Sequence, residues 1–150
     1  MPKLTVNEAA YGFTDVIRLT YTDLINIGNG GQKVIATIPA GGGVDRCVVY
    51  EAVAVAGTTS LVIDVGTTLA DPDEFINALD VDAMSAPVAN TGDLMLQSAG
   101  TTVTLGGALP VKLVQTDTDI VIEVTDAAIA SATAGVIVVG LRIVDLGRFA

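Results

Sequence analysis

Short β-branched runs, broken by Gly, Pro, Thr and Asp, recur along the whole chain and read as the strands of an all-β protein. Ile17 to Ile27 is the first strong strand pattern. Gly28-Asn29-Gly30-Gly31 follows with residues that tolerate positive φ, and Lys33 to Ile38 returns, so this stretch predicts a hairpin ending at Pro39-Ala40-Gly41-Gly42-Gly43. Cys47 to Ala56 and Ser60 to Val65 form the next pair, joined at Gly57-Thr58-Thr59. In the first of these, Val49, Val53 and Val55 share a parity with Glu51, while Tyr50, Ala52 and Ala54 take the other. Further strands are predicted at Asp93 to Gln97, Thr101 to Leu105, Val111 to Thr116, Asp119 to Thr125 and Gly135 to Leu146.

One helix is predicted, over 71–79. Asp71 fits an N-cap, Pro72 the first helical position and Glu74 the third, with Phe75, Ile76 and Leu79 as an apolar side. The last strand is unusual. Ile137, Val139, Leu141 and Ile143 fill one face, and Val136, Val138 and Val144 fill much of the other. A strand apolar on both faces is covered on both. A neighbouring subunit is a natural cover in so small a chain; the arm or helix of the same chain is the alternative. Together these runs predict a jelly-roll-like two-sheet antiparallel sandwich, with residues 1–16 as an N-terminal arm and 17–150 as one domain.

Composition narrows the chemistry. The 150 residues are 51% apolar and 16% charged, which excludes a disordered tail. Seventeen acids against 7 bases give a net charge of −10, a surface that repels phosphate backbones, so no nucleic-acid partner is expected. The chain has no histidine, which removes Ser-His-Asp and Cys-His catalysis, imidazole bases and His-bearing zinc sites. The single Cys47 opens an apolar run and reads as a small buried hydrophobe. The start carries no apolar core of a signal peptide, and the longest uncharged apolar stretch, Ala127 to Leu141, is shorter than the roughly 20 residues of a membrane helix; no membrane partner is expected.

The acids deserve separate tests. Between Arg46 and Lys112 there is no base, and Asp71, Asp73, Glu74, Asp80 and Asp82 fall there. Several carboxylates together suit a calcium ion, but from Asp71 the fifth position is Phe75 and the position needing glycine is Ile76, so the EF-hand spacing fails. Helix capping and a solvated acidic loop are the preferred reading, and no metal is expected. A carboxylate pair for glycoside hydrolysis lacks the aromatic platforms that bind sugars, since the chain has no Trp and only 3 Tyr and 3 Phe. No Ser-x-x-Lys occurs, and Gly28 to Lys33 misses the phosphate-loop spacing and precedes a strand pattern. No catalytic residue, cofactor or enzymatic activity is therefore expected.

The middle of the chain has a cadence of its own. Ile38-Pro39-Ala40-Gly41 leads to the small-residue run Val49 to Ala56, then to Leu61-Val62-Ile63-Asp64-Val65-Gly66 and Asp71-Pro72-Asp73-Glu74-Phe75, closing at Asp80-Val81-Asp82. Over about residues 17–100 this resembles the small β-sandwich capsid decoration or cement proteins of tailed bacteriophages. The likeness is one of strands and turns, without a discrete motif. It implies a non-enzymatic virion protein, made in the host cytoplasm, that binds the outer surface of the head beside the major capsid protein, often as a homotrimer. A tail or fibre connector and a jelly-roll module binding calcium or carbohydrate are the competing readings.

The contact residues expected on the bottom-up reading are few. Tyr11 and Phe13 either anchor a neighbour or form a lid over the open end of the sandwich. Val136, Val138 and Val144 face another copy or lie under their own arm or helix, and Arg142 on the same face either pairs with an acid across an interface or reaches solvent.

Overall fold

The computed structural model describes residues 12–92 and 113–150. Eight strands run in chain order: β1 (Asp15–Thr20), β2 (Gly31–Ile38), β3 (Gly42–Ala56), β4 (Val62–Gly66), β5 (Ile76–Asp80), β6 (Val88–Ala89), β7 (Thr118–Thr125) and β8 (Ala134–Asp145). One short helix, α1 (Tyr21–Ile27), sits between β1 and β2. Two four-stranded antiparallel sheets result, ordered β1-β8-β3-β6 and β2-β7-β4-β5. The pairs β1·β8, β2·β7, β3·β6 and β4·β5 are nested around the β4–β5 connection, as if one long hairpin had been rolled into two layers. The β3·β8 and β4·β7 pairings complete the sheets. This is the expected all-β sandwich of two antiparallel sheets.

The core lies between the layers. Leu19, Cys47, Val49, Ile137, Val139 and Leu141 point inward from one sheet. Ile38, Ile63, Val65, Ile76, Ile120, Ile122 and Val124 point inward from the other. The alternation along β7 and β8 follows the inside-outside parity read from the sequence.

Two predicted elements are corrected. Ile17 to Ile27 is not one strand: β1 stops at Thr20 and α1 begins at Tyr21. Thr20 is the N-cap; its hydroxyl accepts from the Asp23 amide at 3.3 Å, and the Asp23 carboxylate accepts from the Thr20 amide at 2.8 Å. Gly28, at φ 80°, ends the helix by donating its amide to the Leu24 carbonyl at 3.0 Å. Thr20-x-x-Asp23 and Gly28 are a capping box and a helix stop, and these local hydrogen bonds prevail over β-branched propensity. The expected hairpin with Lys33 to Ile38 is lost with it, because β1 and β2 lie in different sheets.

The helix expected near 71–79 is also absent. Residues 71–75 are irregular and Ile76–Asp80 is β5. The helical spacing of Ile76 and Leu79 comes from an irregularity in pairing: Val65 opposes Ile76 while Ile63 opposes Leu79. Asn77 and Ala78 of β5 therefore stand against the single Asp64 of β4, with Ala78 at φ 47°, and both apolar side chains turn inward. The strands expected at 93–97 and 101–105, and the start of that at 111–116, lie outside the described residues.

Candidate interaction surface

The β1-β8-β3-β6 sheet has an outer face whose rows can be read from the register. Thr20, Val136 and Val53 lie in one row, then Arg18, Val138 and Tyr50, then Val16, Gly140 and Val48. Arg142 and Arg46 stand directly opposite each other in the next row, and Val144 opposes Gly43 beyond them. Val136, Val138 and Val144 are half-buried, while Tyr50 and Val53 keep 48% and 50% of their surface exposed. The result is a valine and tyrosine strip edged by arginines on two long paired strands.

Phe13 lies on this face. A side chain at position 140 would meet the Phe13 ring at 2.9 Å, so Gly140 makes room for the ring against the sheet. Thr14 continues the attachment, its amide donating to the Leu141 carbonyl at 2.8 Å and its hydroxyl accepting from the Ile143 amide at 2.8 Å. Phe13 thus packs on the sheet of its own chain, on a face of the sandwich instead of its open end. Tyr11 lies outside the described residues. Arg142 reaches Asp45 at 3.6 Å through Nε, with the arginine side chain 46% and the aspartate 27% exposed, a long and partly solvated pair worth little by itself. The structure adds Val16, Arg18, Val48, Tyr50 and Val53 to the face. Sequence parity separates Tyr50 from Val49 without saying which side is the core, and it separates Val53 from Tyr50. The register shift between Glu51 and Val53 is what brings Val53 to the same face, and the strand partners set Tyr50 beside Val138.

The acidic residues are spread apart. Glu74 turns back onto the β4 exit, accepting from the amides of Thr67 and Thr68 at 2.8 and 3.1 Å and from both of their hydroxyls. Burial acts to raise its pKa, but the hydrogen bonds from Thr68 and Thr67 prevail and hold the carboxyl below its ordinary value. Asp82 accepts from the Leu61 amide at 2.9 Å, and Asp80 from the Ala83 amide at 3.3 Å. Asp71 is exposed, and Asp73 half-buried. The carboxylates of Glu74, Asp80 and Asp82 bond to separate turns, and no group of three metal-ligating side chains forms among the described residues.

An acid overlooked in the sequence carries more structure. Asp126 is 3% exposed and accepts from the amides of Thr59 and Ser60 at 2.9 Å and of Ala128 at 2.6 Å. Its own amide donates to the Asn29 side chain at 2.9 Å. Desolvation pushes its pKa up, but the Ser60, Ala128 and Thr59 amides prevail and hold it low. The local signal was an Asp immediately after a strand run, where it can bond to an amide two residues on; the long-range partners needed the fold.

Across the molecule, the outer face of the β2-β7-β4-β5 sheet is acidic. Asp64 and Glu123 stand directly opposite each other on β4 and β7, and Asp119 and Asp80 lie on the same side. Desolvation, opposed by the Ala78 amide and reinforced by Glu123 and Asp71, raises the Asp64 pKa. Exposed Val34 and Leu69 are the apolar members of this side, and the Leu69 carbonyl accepts from Gln32 at 2.7 Å.

No helix among the described residues is long and apolar enough to cross a membrane. No protein-family model matches the chain, and no curated protein matches it. Among solved structures it is similar to a chain in the "Acidic stable capsid structure of Helicobacter pylori bacteriophage KHP30". That alignment covers 87% of this chain and 88% of the other, at 14% identity and a TM-score of 0.47, a likeness too slight to assign fold or role.

Proposed function

We propose that the protein is a non-enzymatic structural component of a phage virion that binds the outer surface of the head, next to the major capsid protein, and reinforces it as a homotrimer. The observation that carries this reading is the outer face of the β1-β8-β3-β6 sheet. Val16, Val48, Tyr50, Val53, Val136 and Val138 are held there on a paired backbone, so docking needs little ordering of the surface. The strand cadence, which resembles that of capsid cement proteins, suggests the class of partner. A cement protein works by adding buried area across junctions between capsid subunits, and several modest contacts made by one trimer combine into strong attachment.

In this reading Phe13, Val136, Val138, Arg142 and Val144 are contact residues, with Tyr11 continuing the same arm. The fold makes the face rigid, and the net charge of −10 keeps the free protein soluble before it docks. Gold-labelled antibody against the chain, applied to intact virions of the phage that encodes it, tests the location. Label over the head exterior is expected, together with heads that rupture at lower temperature when the protein is omitted from assembly. Label confined to the tail would replace this reading with a connector, and virions without the chain would end it.

A further inference from the structure

The edge strands β5 and β6 border an open groove of about 440 Å³, a size typical of pockets that take a ligand or an incoming side chain. Its apolar members are Leu79 from β5, Met84 and Pro87 from the loop that follows, and Val88 from β6. Asp80 is the one charged residue of the lining among the described residues. The Ala83 amide, at 3.3 Å, uses only part of that carboxylate's acceptor capacity. A second cleft lies between the same loop and Tyr50 and Glu51 of β3, so the groove is continuous with the valine and tyrosine strip.

Past β8 the chain presents the matching chemistry. The 3₁₀ turn Gly147–Phe149 leaves Phe149 80% and Leu146 51% exposed, with the Arg148 guanidinium 5.5 Å from the centre of the Phe149 ring. The turn is held in place. The Phe149 and Ala150 amides donate to the Leu146 and Gly147 carbonyls at 3.1 Å, and the Leu146 amide donates to the Gly41 carbonyl at 3.2 Å. Gly41 packs so closely that a side chain there would meet Gly147 at 2.9 Å. Exposed Leu113 comes to the same end, because the Gly41 amide donates to the Val114 carbonyl at 2.8 Å.

We propose that the chain associates with copies of itself by seating Phe149 of one copy in the Met84 groove of another, with Arg148 at the Asp80 carboxylate. The ring leaves water for apolar walls that include a thioether, a favourable neighbour for an aromatic edge. The cation meets the acid of the groove, which fixes the orientation of the incoming turn. Exchanged reciprocally, the contact closes a two-fold dimer; repeated about a three-fold axis, it closes a trimer. The proposal does not depend on the virion reading, since it concerns the free protein. An apolar association of the strips alone would need neither Phe149 nor the Arg148 and Asp80 charges, so variants at these positions separate the two.

Sedimentation velocity on the full chain over a dilution series tests it, with thermal melts confirming that each variant is folded. The wild type is expected to rise above 15.2 kDa toward a whole multiple of that mass. Phe149→Asp removes the ring at an exposed position, and Ala86→Arg sets a long cation over the groove from another. Each of these alone should remain at 15.2 kDa. Mixed in equal amounts, they should form one species of twice that mass, because one supplies an intact groove and the other an intact Phe149. Arg148→Glu and Asp80→Arg should each weaken association several-fold, and the two on one chain should restore it. A wild type that stays monomeric throughout the series would overturn the proposal. So would an assembly that survives Phe149→Asp or Ala86→Arg, a mixture that remains monomeric, or a double reversal no better than the single ones.

Discussion

Asp126 shows how a single carboxylate can tie distant loops together. It lies just under the surface yet is shielded from water, and holds the Thr59 and Ser60 amides against the turn that follows β7. Asp126→Ala leaves three amides without this acceptor and should cost about 3 kcal/mol in urea unfolding, as expected for lost charge-assisted bonds. The pH dependence follows from the depressed pKa values of Asp126 and Glu74. A carboxyl held low when folded contributes its stability above the unfolded value and loses it as pH falls through the folded one. Melting temperature should therefore drop steeply below about pH 4, the ordinary carboxylate range, and Asp126→Asn should flatten that drop. Asp64, held high, acts in the opposite sense and gains on protonation. Cys47 is fully buried, and desolvation pushes its thiol up to about 12, so a thiol reagent should label it only when denaturant opens the sandwich.

Elements fail or succeed as predictions according to how local their causes are. The strands β4, β7 and β8 were legible because parity along each run survives in the fold, whereas register shifts along β3 turn Val53 outward beside Tyr50 and away from Val49, whose parity it shares. The helix α1 was legible too, in Thr20-x-x-Asp23 and Gly28, but the Ile17-to-Ile27 apolar run obscured it. Thr20→Ala removes the cap and should lower stability by about 1 kcal/mol in denaturant titration, with β1 pairing unchanged. Residues 71–75 were illegible for a different reason. Their capping pattern is real, but Glu74 serves Thr67 and Thr68, and Pro72 and Asp73 pass directly over Gly66. A methyl at 66 would collide with Glu74 and with the Pro72 backbone. Gly66→Ala should thus cost about 1–3 kcal/mol by overpacking, and thermal unfolding would show it. That crossing joins the strand end at Gly66 to the loop at Pro72, Asp73 and Glu74, beyond what helix periodicity can register.

For the molecule as a whole, the two-layer order was legible from strand number and alternation, whereas the charge division between its faces was not. Sequence places Arg18, Arg46 and Arg142 far apart, and only the β1·β8 and β8·β3 registers bring them to one side. The same registers test the contact face in a way that separates docking from folding. Val138 points outward between Arg18 and Tyr50, while its neighbours Ile137 and Val139 are fully buried. Val138→Asp therefore leaves the core untouched and gains a cation directly across the sheet, so stability should fall by no more than about 1 kcal/mol, the span of strand propensity, and the chain stays folded. Ile137→Asp would instead bury a charge between the layers and unfold the chain. If the strip is the docking surface, Val138→Asp should abolish assembly and head binding while the monomer still unfolds cooperatively near the wild-type temperature, because an acid in the centre of the strip removes apolar burial and must be desolvated by any partner. Light scattering with a head-binding assay reads both outcomes, and an unchanged assembly mass with full head binding would remove this face from the contact.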